Sequence, residues 1–349
     1  MIKDADWQQR IGAPPERSRR RRRRRRSGCL TRFLAFVLVV AALAGWFWWQ
    51  QNGLSSEEIE VASAPDGFAG YRIVLISDLH AKEFGAGNEK LIQYVKDLHP
   101  DLIAIVGDIL HEKSQLAMIP AVASGLAGVA PTYYVTGNHE WAAHAVQELE
   151  PLLEENGVHV LSNTYVMLER GGDRIALLGA EDSNGYADQK TIAELSEEVR
   201  QEQGDVYKIL LSHRNTRIEE YVDAHIDLTL CGHAHGGLIR LPGTDGLIGP
   251  HREFFPSYTA GLYDLPYGQL VASRGLGKTV VPTVIVVLGS CVFRVIWVYT
   301  IFAHFHTIPS LYLLYPCSWT LTAIAEIVYF IHAYKDSMKI FTQPQPAEV

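Results

Sequence analysis

Cysteine is scarce in this chain. Its 349 residues carry four, Cys29, Cys231, Cys291 and Cys317, and their spacing gives neither a disulfide framework nor a zinc ribbon. Three lie in or beside apolar stretches, and Cys231 reads as a small buried residue at a strand end. Positive charge is scarce too, outside one block. Lys and Arg number 31 against 39 Asp and Glu, for a formal net charge of −8. Yet residues 17–26 hold nine of the arginines, eight of them consecutive from Arg19 to Arg26. The rest of the chain is therefore plainly acidic, which makes nucleic acid a poor partner. An arginine run alone can bind nucleic acid. Here an apolar stretch follows at once, which fits the cytoplasmic flank of a membrane span better.

Residues 1–29 are polar and read as an Arg-rich cytoplasmic segment. Residues 30–49 are long enough to span a bilayer core, which takes roughly 20 residues. They end in Trp46-Phe47-Trp48-Trp49, an interfacial aromatic belt. A cleaved signal peptide is the rival, and Arg25-Arg26 resembles a twin-arginine export signal. The Ala42-Leu43-Ala44 triplet lies inside the apolar run rather than after it, which favours an uncleaved anchor. Residues 50–70 read as an acidic linker.

From Tyr71 the pattern becomes strand, loop, helix. Strands are expected at 72–77, 102–106, 132–135, 158–160, 165–168, 174–178, 207–211 and 228–230, and helices at 88–98 and 188–201. Gly171-Gly172-Asp173 reads as a hairpin turn. The alternation implies layered α/β architecture with a mixed sheet, over 71–280. Beyond it, 284–303 and 308–334 are apolar enough to read as two more spans, within a segment 281–340 followed by a tail, 341–349. Arg294, in the middle of the first, and Glu326, in the second, would each need a protein or cavity partner in a bilayer.

Five segments carry chemistry: Ser77-Asp78-Leu79-His80, Gly107-Asp108, Gly137-Asn138-His139-Glu140, Ser212-His213 and Gly232-His233-Ala234-His235. Each follows an apolar strand and offers Asp, Asn or His, the donors suited to Mn, Fe or Zn. Within a strand, residues two apart point the same way. Asp78 and His80 can then reach one ion, and so can His233 and His235. Asp108 is placed to bridge two cations, Asn138 supplies a neutral oxygen, and His213 ends a strand. A water between two cations loses a proton near neutral pH and becomes a nucleophile. His139 adjoins Asn138 and points elsewhere, which suits a general acid. Asp108 is placed to orient it. Arg214 is a candidate contact for a substrate phosphate, with a surface salt bridge as its alternative. The remaining histidines, His111 among them, read as surface or packing residues, with His251 the exception because it follows the last motif.

The ordered motifs resemble the calcineurin-like metallophosphoesterase superfamily. Leu211-Ser212-His213-Arg214, Cys231 to Gly237, Arg240-Leu241-Pro242-Gly243 and Phe254 to Tyr263 look like its membrane-anchored branch, which includes phosphodiesterases resembling UDP-2,3-diacylglucosamine hydrolases. The resemblance implies a two-sheet sandwich flanked by helices. It implies one metal on Asp78, His80, Asp108 and His235, a second on Asp108, Asn138, His213 and His233, and His139 as the catalytic acid. Many relatives carry a carboxylate three residues after the bridging Asp, where this chain has His111. The tail resembles the last two helices of multidrug and toxin extrusion (MATE) transporters, in Ser290 to Trp297 and Tyr315-Pro316-Cys317-Ser318-Trp319. Arg274-Gly275-Leu276-Gly277 followed by Pro282 is similar to both families, which implies a join there, native or introduced in assembly.

The sequence thus points to a membrane-anchored phosphoesterase with two divalent metal ions, Mn, Fe or Zn. It would act by metal-bound hydroxide on a phosphodiester, phosphomonoester or pyrophosphate bond, and membrane tethering favours a lipid-linked or envelope substrate. Partners are the bilayer and that substrate, and the oligomeric state is open. The arginine block inside places the catalytic domain on the extracytoplasmic side of the cell membrane. The same rule would leave Lys335 and Lys339 of the tail outside, which marks the tail as foreign. The alternative is a transporter-related fusion whose phosphoesterase domain is a non-catalytic, metal-dependent binding module.

Overall fold

In the computed structural model, the described residues are 53–186, 188–237, 239–240, 246–248, 253–277 and 292–341, with the isolated positions 38, 42 and 45. The expected cytoplasmic segment and nearly all of the expected N-terminal anchor lie outside them. The chain divides into two units, Met1–Gly53 and Leu54–Val349. Every element named here belongs to the second.

The first sheet has four strands: β1 (Ile73–Ile76), β2 (Leu102–Val106), β3 (Thr132–Val135) and β4 (Val158–Val160). They pair in that order, all parallel. The helices between them are α1 (Glu89–Asp97), α2 (Ile119–Ala127), α3 (Asn138–Ala142) and α4 (Val146–Glu155). The second sheet is built from β5 (Thr164–Arg170), β6 (Asp173–Ala180), β7 (Tyr207–Ser212), β8 (Leu228–Cys231), a later hairpin and two helices, α5 (Ile192–Gln203) and α6 (Ile218–Asp223). A separate two-stranded ribbon pairs β9 (Ile239–Arg240) with β10 (Gly246–Ile248). The hairpin is β11 (Gly261–Asp264) and β12 (Gln269–Ala272), and the sheet order is β11-β12-β8-β7-β6-β5. Both edge pairs are antiparallel and the interior pairs parallel. The expected mixed sheet is thus one parallel sheet and one mixed sheet.

Period-two alternation decides which residues meet. In β2, Leu102, Ala104 and Val106 face Ile209 and Leu211 of β7 and Ile175 and Leu177 of β6, forming the seam between the sheets. Ile103 and Ile105 point the other way, onto Leu91, Val95, Ile119, Leu126 and Leu149 of the helices. Leu178 and Leu210 likewise face Ile192, Leu195 and Val199 of α5 and Tyr221 of α6. The result is four layers, helix, sheet, sheet, helix. A strand covered on both faces must be apolar throughout, which is why β2 reads as an unbroken run.

One expectation is corrected and one is met in part. Residues 54–70 are not a bare linker: Leu54 packs on the helical core, Ile59 and Val61 pack on the seam, and Phe68 is buried within it. The apolar side chains among the acidic ones have sheet faces to cover. Of the two C-terminal spans, among the described residues one helix is long and apolar enough to cross a membrane, at Ile308–Val328. The other is described only over Phe293–Phe305, and the rest of its range lies outside the described residues. Arg294 does find partners there: its Nε donates to Ser318 Oγ at 3.1 Å, and its guanidinium stacks 4.8 Å above the Tyr315 ring. One helix satisfies the cation of the other.

Candidate metal centre

The ligand-type residues leave the C-terminal ends of β1, β2, β3, β7 and β8, where loops are free of ladder hydrogen bonds. The expectation that Asp78 and His80, and His233 and His235, align by strand alternation is wrong. β1 stops at Ile76 and β8 at Cys231, so both pairs lie in the loops beyond. Asp78, His80, Asp108, His233 and His235 all have left-handed backbones, with φ of 51, 47, 53, 66 and 52°. Such residues cost on the order of 1–3 kcal/mol each and gather where a site needs them. The turns, not the pleat, aim these side chains at one another.

Two groups result, sharing Asp108. In the first, His80 Nε2 is 3.3 Å from His235 Nε2, Asp78 Oδ1 is 3.5 Å from His235 Nε2, and Asp108 Oδ2 is 3.9 Å from His80 Nε2. In the second, His213 Nε2 is 3.2 Å from Asp108 Oδ2, 3.0 Å from Asn138 Oδ1 and 3.2 Å from His233 Nδ1. His139 Nε2 approaches Asp108 Oδ2 at 3.9 Å from the open side. Metal–ligand bonds of about 2.0–2.2 Å set neighbouring donors about 3.0–3.5 Å apart. Most of these spacings fall in that interval, so the residues fit a pair of divalent cations.

Hydrogen bonds fix the donors. His213 Nδ1–H donates to Val106 O at 2.8 Å; a carbonyl only accepts, so Nδ1 carries a hydrogen and Nε2 is the nitrogen that faces the centre. The His139 backbone N–H donates to Asp108 Oδ1 at 2.9 Å, which leaves Oδ2 for the centre. His233 N–H donates to Asp78 Oδ2 at 3.1 Å. Gly137 packs against Asp108 so closely that a Cβ would sit 2.3 Å from Asp108 Oδ1. Gly275, at φ 71°, closes over the first group, where a Cβ would lie 2.7 Å from the Asp78 Cβ. The segment read in sequence only as a resemblance is therefore a wall of the centre.

Burial pulls the His80 and His233 imidazoles down to about 4, against the pull of the neighbouring carboxylates. His213 is fully buried, which disfavours its charge. The Asp108 carboxylate nonetheless holds it up at about 10. Burial would raise Asp108, but His213 keeps its carboxyl well below the usual carboxylate range.

Sequence reasoning missed two residues. Glu140 is fully buried and accepts from Gly137 N–H, Asp108 N–H and Leu110 N–H at 2.8, 3.0 and 3.1 Å. It ties the β2 and β3 loops together. Burial and then the Asp108 charge push its carboxyl up to about 7. Its position three residues after Gly137 is capping-box spacing, a signal that was present. His111 is the second: its ring centroid is 4.7 Å from that of His139 and 5.8 Å from that of His80, not on a remote surface. Arg214, by contrast, turns aside. Its Nε and Nη2 donate to buried Asp182 at 2.7 and 2.9 Å. His251 lies outside the described residues. Cys231 is buried at the end of β8 as expected.

Residues 71–237, which carry the first sheet and all five motifs, match the family model described as calcineurin-like phosphoesterase. An uncharacterized metallophosphoesterase of Bacillus subtilis, YkoQ, is 30% identical over 212 residues, covering 59% of this chain and 76% of its own length. This chain belongs to the calcineurin-like phosphoesterase family. As such it is a metal-dependent phosphoric ester hydrolase with two divalent metal ions. This phosphoesterase is also similar to phosphodiesterase YaeI of Escherichia coli, 28% identical over 222 residues, 61% of this chain and 77% of that one. A Danio rerio protein named transmembrane protein with metallophosphoesterase domain is 28% identical over 298 residues, 76% of this chain and 66% of its own length.

Proposed function

We propose that this phosphoesterase is membrane-anchored and hydrolyses a phosphodiester, phosphomonoester or pyrophosphate bond of a lipid-linked substrate. The observation that carries the catalytic part is the convergence of seven donor residues in two groups about one carboxylate, Asp108, with His139 on the open side. Asp78, His80, Asp108 and His235 would hold one cation, and Asp108, Asn138, His213 and His233 the other. When bound, such a pair neutralises phosphoryl charge and acidifies water. The protein's own residues do the rest. His139 Nε2 gives its proton to the leaving oxygen as the P–O bond breaks and the oxygen of water bonds to phosphorus. The proton that water releases passes to solvent. Burial lowers the His139 imidazole below its ordinary value, and the Asp108 carboxylate 3.9 Å away pulls the other way, while the bond from its backbone N–H to Asp108 holds its backbone in place. Arg214 is left out of this machinery because its fork is committed to Asp182. A cavity of about 220 Å³ beside His233 gives room for the rest of a substrate.

Membrane anchoring is supported by the exposed apolar helix Ile308–Val328 and by the name of the Danio rerio relative. The diacylglucosamine-hydrolase-like substrate class and the MATE-like origin of the tail rest on the sequence motifs. Hydrolysis of bis(p-nitrophenyl) phosphate with Mn²⁺ tests the catalytic reading. Asp108→Ala and His139→Ala are expected to lower the rate by about 10²–10⁴-fold, the scale of a positioned acid or base. Equal rates in all three proteins would leave a binding module instead.

A further inference from the structure

We infer a third transition-metal position at the mouth of the centre, formed by His111 and His139 with His80 behind them, which takes zinc and withdraws His139 from the leaving oxygen. The donor nitrogens of these three imidazoles lie within 4.8 Å of one another. Two imidazoles on one zinc stand about 3.3 Å apart, a distance that rotation of exposed rings reaches. His111 is exposed and the His139 side chain is 32% exposed, so an ion reaches them directly from solvent. The backbone beneath is fixed. His111 N–H donates to Gln115 Oε1 at 2.8 Å, and Leu110 N–H donates to the buried Glu140 carboxylate at 3.1 Å. Only the rings need to move.

The donor set decides the metal. The two inner groups each include carboxylate oxygen, which manganese accepts. The outer group is imidazole alone, which suits zinc and copper and not manganese. His80 is shared with the inner group, so water completes the outer ion's shell and its hold is weaker. Occupation of this position ties up the imidazole of His139. That inhibitory consequence rests on the proton-donating role proposed for His139; the binding itself does not.

Equilibrium dialysis of the full chain against Zn²⁺ or Mn²⁺, read by mass spectrometry of the metal, tests the position. The expected result is three zinc but two manganese per wild-type chain, and two of either in His111→Ala and His111→Asn. Equal zinc and manganese counts in wild type, or a third zinc that survives both substitutions, overturns the inference. In a second arm, zinc is added to the manganese-loaded proteins and each rate is expressed as a fraction of that protein's own rate. The inhibitory zinc concentration should rise roughly tenfold or more in both variants, the scale on which even outer partners alter a metal site. Unchanged inhibition also overturns it. If wild type shows no hydrolysis, the proposed function fails while dialysis still decides the third position.

Discussion

His213 and Asp108 form a buried ion pair in place of the charge that cations bring. With its folded value held at about 10, above the ordinary 6.5, His213 is protonated at neutral pH in the cation-free protein. Its contribution to stability is present below about 6.5 and is lost as pH rises through about 10. A cation on His213 Nε2 must expel that proton. Metal affinity is therefore expected to rise by about tenfold per pH unit, between pH 6 and 8, for each proton released. Calorimetry in two buffers of different ionisation enthalpy measures the release. An affinity flat in pH, with no buffer dependence, contradicts it. The identities of Asp78, His80, Asp108, Asn138, His213, His233 and His235 were legible because few other roles suit such residues at strand ends. The left-handed backbone that aims five of them, Asp78, His80, Asp108, His233 and His235, was not, since Asp and His carry no sign of φ. His111 stood out only as the residue in place of a carboxylate that many relatives carry, and was otherwise grouped with the surface or packing histidines.

Elements deliver the donors. Four layers leave the C-terminal ends of β1, β2, β3, β7 and β8 side by side, and α3 begins where the His139 N–H meets the Asp108 carboxylate. That contact needs glycine at 137. Gly137→Ala would place a Cβ 2.3 Å from Asp108 Oδ1 and 2.4 Å from its backbone nitrogen, and a backbone atom cannot swing away. A loss of about 1–3 kcal/mol, the scale of overpacking, is expected in denaturant unfolding, together with weaker metal binding. Wild-type stability and affinity in this variant would show the loops to be looser than described. Strands β1 to β8 were legible from their apolar runs, whereas β9 to β12 were not expected. The helices Ile119–Ala127 and Val146–Glu155 were not, because Gly125 in one and Pro151 in the other imitate breakers in sequence.

Over the whole molecule, an acidic catalytic domain is joined to an apolar helix with most of its surface uncovered. Such a helix is expected to hold the chain in a bilayer. In sealed membrane vesicles of known orientation, protease added outside should cleave residues 54–277 in one orientation only, the one in which the vesicle encloses the cytoplasmic face and with it Arg17–Arg26. Full recovery of the chain in the soluble fraction contradicts the anchor. The chemistry, however, turns on one carboxylate serving two ions. Manganese bound per chain, counted in wild type and in Asp108→Ala, tests that claim most directly. Two equivalents in wild type and neither retained at the same free manganese in the variant is the predicted result; two equivalents in both proteins would contradict it.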